Sequence, residues 1–234
     1  LNKFGKQITE DDLNEDDNCR YIPDINKNTV PNVLESFREK IYKGISILDG
    51  ETFYHTGPHH DDIMLGFLPY IVHLVRLPDN KHYFSNLTSG FTSVTNAYIE
   101  NILNNTLAFL ANGKIQMIDY PDFFEKGYRL KTGKDVYHYL DRIASKTKEG
   151  QARGLSHRAV RALVEIYQLK SKTELVDRIN KILIYLNGCY DGQKNISDIQ
   201  KLKGMIREFE EELVWSHYGI RVKDVFHKRL GFYS

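Results

Sequence analysis

Hydrophobic positions along this chain follow two spacings. Short runs rich in β-branched and aromatic residues, "ETFYHTG" (51–57), "KHYFSNLTSG" (81–90), "KIQMIDY" (114–120) and "VKDVFHKRLGFY" (222–233), read as strands. Between the first two, "DDIMLGFLPYIVHLVR" is apolar on nearly every side, the pattern of a helix covered by other elements, with Pro69 marking a kink or an early turn. Strand, helix and strand at this spacing predict a β-α-β unit, and with it an α/β fold with a mainly parallel sheet. Upstream, residues 1–29 are polar, with acids clustered in "EDDLNEDD" and turn formers in "IPDINKNTVPN", and read as a surface linker. Val33, Leu34, Phe37 and Ile41 then predict a short amphipathic helix over 33–42, so that 1–44 form a linker and helix ahead of a domain over 45–234.

From about 123 to 220 nearly every apolar residue falls at helical spacing. Leu175, Ile179, Ile182 and Leu186 make one stripe, and Ile199, Leu202, Ile206, Phe209 and Leu213 make another. Ser171 with Glu174, and Ser197 with Gln200, have the form of capping boxes. The simplest reading is two antiparallel helices packed on each other, within a helical insertion of the α/β domain; a homo-oligomer surface is the other use of such stripes. No internal repeat or low-complexity tract interrupts the pattern.

Composition narrows the partners. The 234 residues carry 32 Lys and Arg against 31 Asp and Glu, a formal charge of +1, so no overall field favours nucleic acid or an anionic membrane. The two cysteines, Cys19 and Cys189, are far apart and form no C-x-x-C pair, which suits a reducing compartment and leaves any metal to His and carboxylate ligands. No apolar run is long enough to cross a bilayer and the N-terminus lacks a secretion signal, so a cytoplasmic protein is expected. A start at Leu1 and a stop directly after a strand suggest a piece of something longer.

The chemistry concentrates in "HTGPHHDDIML", where the first strand hands over to a helix. In parallel α/β sheets, ligands bind beyond the carboxyl ends of the strands. His59 and Asp62, three apart across a turn into a helix, can converge on one ion, with Asp61 placed to take a proton from water. The bland alternative is that Asp61 and Asp62 cap the helix and the histidines are solvated. Neither G-x-G-x-x-G after the first strand nor G-x-x-x-x-G-K-S/T occurs, which removes the usual dinucleotide and P-loop readings.

"PHHDD" resembles the "(A/S)HPDD" motif of the LmbE-like, or PIG-L, zinc-dependent N-deacetylases. "NLTSG" (86–90) is similar to that family's second strand end, "MIREFEEELVWSHYGI" (205–220) to its R-x-x-E helix, and "VFHKRLGFY" (225–233) to the strand that follows, so the resemblance covers roughly 45–234. It implies a Rossmann-like fold and hydrolysis of the acetyl group from an N-acetylated amino sugar or its phosphate. It also implies zinc on His59 and Asp62, Asp61 as general base, and Arg207 on the sugar substrate. The form "PHHDDIMLG…TSG…RLGFY" looks closest to deacetylase-like domains associated with glucosamine-6-phosphate deaminase (isomerase) proteins, which implies a covalently linked deaminase domain as a partner.

Two departures matter. His60 stands where the family has proline and Ile63 where an acid often follows the double aspartate. The family's third zinc ligand, a histidine in an H-x-x-H or G-T-H segment, is expected past Ser234; His157 in "RGLSHRAVRAL" resembles that segment only superficially and comes too early. These departures support a rival expectation, an inactive deacetylase-like module that binds a sugar phosphate or supports assembly.

Overall fold

The computed structural model describes residues 3–46, 48–190 and 192–231. Two compact units, Leu1–Leu48 and Asp49–Ser234, divide it. In the first, the stretch expected to be a linker holds α1 (Glu10–Glu15), whose start is a reciprocal box: Thr9 Oγ1 accepts from Asp12 N at 3.3 Å and Asp12 Oδ2 accepts from Thr9 N at 2.8 Å. The Lys3 ammonium at 2.7 Å and these bonds hold the Asp12 carboxyl down at about 2. The following helix, α2, runs from Thr29 to Ile45, longer than its apolar stripe predicts, and Val33, Phe37 and Ile41 are exposed.

The second unit is mixed α/β. Three parallel strands, β1 (Thr52–Gly57), β2 (Lys81–Asn86) and β3 (Val225–His227), lie in the order β1-β2-β3, with Gly57, Asn86 and His227 aligned at the carboxyl edge. The helix α3 (His60–Val75) links β1 to β2 and runs on through Pro69. Between β2 and β3 come α4 (Asn96–Ala111), α5 (Thr132–Ala144), α6 (Lys148–Tyr167), α7 (Lys172–Asn187) and α8 (Ser197–His217). Counting α1 and α2 of the first unit, the described residues hold eight α-helices.

Several expectations change. Residues 114–120 form no strand but a 3-10 turn over Gln116–Asp119; Ile115 and Ile118 are buried three apart, the spacing of such a turn and not the alternation of two that a strand needs. The last strand is only Val225–His227, preceded by a 3-10 turn over Val222–Asp224, and the end of its predicted run, 232–233, lies outside the described residues. Ile63, Ile71 and Leu74 of α3 are buried, but Leu65, Phe67 and Tyr70 are exposed, so this helix is not covered all round. Finally, α7 and α8 do not form a pair: α7 packs on α4 and α6, and α8 on α6 and α5.

That rearrangement follows from α6. Its middle, Ala159, Val160, Ala162, Leu163 and Val164, is fully buried, and its small residues let neighbours approach from several sides; at Gly154 a Cβ would lie only 2.7 Å from Tyr139 Cδ2 of α5. The larger core is therefore helical, built on α6 by Ile99 and Leu103 of α4, Leu175 and Ile179 of α7, and Ile206 of α8. A smaller core covers the sheet: Phe84 of β2 stacks on Trp215 of α8 with ring centroids 4.0 Å apart, flanked by Ile63, Ile71, Ile220 and Val225. Capping in the helical part is simpler than expected. Ser171 Oγ accepts from Glu174 N at 3.2 Å, whereas α8 begins at Ser197 itself, one residue after its extended cap Ile196.

Candidate functional site

Backbone hydrogen bonds stitch the carboxyl ends of the three strands together. Leu87 N donates to Gly57 O (3.1 Å) and Thr88 N and Oγ1 both donate to Pro58 O (2.9 and 2.8 Å). On the other side Lys228 N donates to Asn86 O (2.9 Å) and Leu230 N to Leu87 O (2.7 Å). Gly57 makes the turn into α3 possible, because a Cβ there would sit 2.8 Å from Ile63 Cγ1. The four-residue cluster is thus held on a braced edge.

His59 precedes α3 in an extended conformation, and its N–H is accepted by Asp62 Oδ2 at 3.0 Å, so Asp62 does cap the helix start and uses one carboxylate oxygen to do so. His59 Nδ1 is hydrogen-bonded to Asp61 Oδ1, while Nε2 is buried without a partner. Asp61 Oδ2 faces Arg207 Nη2 of α8 at 3.8 Å, and Arg207 in turn pairs with Glu210 one turn on. Burial pushes the Asp61 carboxyl up, but the hydrogen bond from His59 and the Arg207 guanidinium prevail and hold it low, so it is ionised at neutral pH. His60, the first residue of α3, packs on the His59 ring at 4.1 Å; burial, with the charges of His59 and Arg207, drives it down to about 3, which keeps it neutral.

Gly90 completes the pocket for His59. Its φ of +60° favours glycine, and an added Cβ would lie 2.2 Å from His59 Nε2. Gly90→Ala is therefore expected to expel the imidazole and to cost about 1–3 kcal/mol, read by chemical denaturation and by loss of the buried His59 signal in NMR spectra. Unchanged stability and an unchanged His59 resonance would refute the close packing.

The four residues singled out from the sequence, His59, Asp61, Asp62 and Arg207, therefore meet at one edge, although Arg207 comes from the far end of the chain. The flanking histidines do not join them. His55 lies in a ladder on the sheet with Phe53, His82 and Phe84, its Nε2 3.1 Å from His82 Nδ1, and burial with the His82 charge lowers it to about 4. His157 lies on α6, beside Asp135 at 4.0 Å.

Sequence reasoning missed the charged layer behind this edge. Three carboxylates of α8 are buried there, each with a cation: Glu208 receives Arg229 Nε and Nη2 (both 2.9 Å), Glu212 pairs with Arg158, and Glu211 lies 3.1 Å from His227 Nδ1. Ser89 Oγ of the T-S-G segment also donates to Glu208 (2.8 Å), and Trp215 Nε1 to Glu211 (3.1 Å). Burial alone would lower the His227 pKa, but bonds to Glu211 and Glu212 raise it to about 10, so it is charged. Asn86, between Gly57 and His227, is buried with both amide atoms unpaired. The only sequence signal for this layer is the "EFEEE" run, which reads as a solvated helix face.

The donors fit a metal in part. An imidazole with a carboxylate on one nitrogen and the other nitrogen buried and unpaired is oriented as metal-binding histidines are, and Asp62 Oδ1 is a second donor. Among the described residues, no three His, Cys, Asp or Glu side chains gather to hold an ion, whereas a catalytic zinc takes three protein ligands. Comparison with known protein families, with curated proteins and with solved structures finds no match.

Proposed function

We propose that this edge belongs to a zinc-dependent amide hydrolase that removes the acetyl group from an N-acetylated amino sugar or its phosphate. The observation that carries the reading is the approach of Arg207 to Asp61 at 3.8 Å, which joins the "PHHDD" and R-x-x-E segments that the family resemblance pairs. His59 and Asp62 would hold the metal, which when bound polarises the amide carbonyl and acidifies water. Asp61, ionised and half-exposed, accepts the proton of the attacking water and returns it to the departing amine, giving acetate and the free amino sugar. Arg207 holds a hydroxyl or phosphate of the sugar.

Asp61→Asn should lower acetate release from N-acetylglucosamine 6-phosphate by about 10²–10⁴-fold with zinc content unchanged, and His59→Ala should remove the zinc. Zinc is measured by elemental analysis on the chain and on a form carrying further C-terminal residues. Absence of both zinc and turnover in each form would sink the reading.

One observation favours the second reading, a non-catalytic sugar-phosphate-binding or assembly module beside a deaminase domain. Asp61 and Asp62 are both already engaged, one by His59 and Arg207 and the other by the helix cap. Binding of the sugar phosphate without turnover, abolished by Arg207→Ala, would select it.

A further inference from the structure

Away from the strand edge, α5 and α6 enclose a groove of about 550 Å³ that the deacetylase reading does not use. Lys134, His138 and Arg142 of α5, with Lys131 just ahead of the helix, line one side, and Arg153, His157 and Arg161 face them from α6. Helical spacing of three and four places each set on one face. Glycine lets the walls close: a Cβ at Gly150 would lie 2.6 Å from Arg142 Cδ, so the arginine stem runs directly over the α6 backbone.

The charges are not balanced. Arg161 is anchored, its Nε on Asp135 and its Nη1 on the carbonyls of Tyr128 (2.7 Å) and Leu130 (2.9 Å), which commits the single acid lining the groove. Lys114 is paired with Glu149. Lys131, Lys134 and Arg142 form no ion pair within 4 Å among the described residues, and Arg153 has only the more distant charge of Glu149, already taken by Lys114. Four like charges, three of them on two packed helices and Lys131 at the start of one, repel one another, and an anion in the groove would relieve that repulsion. Tyr120, exposed at the rim, adds an aromatic face on which a sugar or base ring can lie.

We propose that this groove binds a small molecule carrying a diphosphate or two phosphate groups, with its ring over Tyr120. The α5 and α6 cations contact the phosphoryl oxygens, and Arg161, fixed by Asp135, shapes the floor. His157 lies in the same wall and reports occupancy: burial holds it below the ordinary histidine range, and an adjacent polyanion raises it.

Inorganic pyrophosphate is the probe, titrated into the chain at 0.15 M salt by calorimetry and by NMR of the histidine rings. Saturable binding of one equivalent with an upward shift of the His157 pKa is expected. Lys134→Gln and Arg153→Gln should each weaken it about tenfold, and their combination more, while Lys181→Gln, at an ion pair on α7, leaves it unchanged. Thermal melting of each variant separates lost binding from lost folding. Non-saturable binding, or equal weakening by Lys181→Gln, would overturn the proposal. Tight binding of a short oligonucleotide that pyrophosphate does not displace would overturn it in favour of a nucleic-acid surface.

Discussion

His227→Gln is expected to destabilise the second unit by about 3–5 kcal/mol at pH 7 and to remove most of the pH dependence of stability on the alkaline side. The histidine is one of three cations, with Arg229 and Arg158, that meet the buried carboxylates of Glu208, Glu211 and Glu212. Glutamine keeps a donor but removes the charge, so Glu211 is left with neutral donors such as the Trp215 N–H, and an uncompensated buried charge is costly. The sign follows from the raised pKa: protonation is favoured in the folded state, so the contribution is complete below the unfolded histidine value of about 6.5. It is lost as pH rises towards about 10. Denaturant titrations at pH 6, 8 and 10 should show wild type falling towards the variant, whose own profile is flatter over that range. Parallel profiles would show that His227 is neutral in the folded protein.

Trp215→Ala should cost a further class of energy, about 3–5 kcal/mol from lost burial, because Trp215 is fully buried and stacks on Phe84, the central strand's contact with α8. Trp215→Phe separates the two roles of the side chain. It keeps most of the apolar area but deletes the N–H that serves Glu211, so a loss of about 1–3 kcal/mol is expected. Unfolding midpoints for the pair measure both, and a Phe variant as stable as wild type would show that the indole hydrogen bond contributes nothing. Since α8 also carries Arg207, the Ala variant is expected to loosen Arg207 from Asp61 without touching either residue.

Local signals told the truth where local geometry decides. Short runs of β-branched and aromatic residues located β1 and β2, and Gly57-Pro58 before an apolar helix located the turn that carries His59 and Asp62. Where partners are distant, the same signals misled. Ile115 and Ile118 look like strand residues until their spacing of three is taken with the 3-10 turn they occupy. The stripes of α7 and α8 suggest a mutual pair, yet α7 packs chiefly on α4 and α8 on α6 and α5; the sequence of α6 hides its share, because Gly154, Ser156 and the buried Arg158 and Arg161 break its apolar periodicity. The layer of Glu208, Glu211 and Glu212 was invisible for a related reason. Acids on a helix read as solvated until the strand after it delivers His227 and Arg229. Arg207 was found only through the family resemblance, since no spacing argument links it to residue 61.

The position of β3 has a kinetic consequence. Its hydrogen bonds to β2 close a loop that contains five helices, α4 to α8, whereas the helical core and the β1-β2 pair are each made from nearer neighbours. Long loops close late because their entropy is lost before their contacts form. The β2-β3 pairing that braces the edge carrying His59 and Asp61 is therefore expected to close after the helical core has formed.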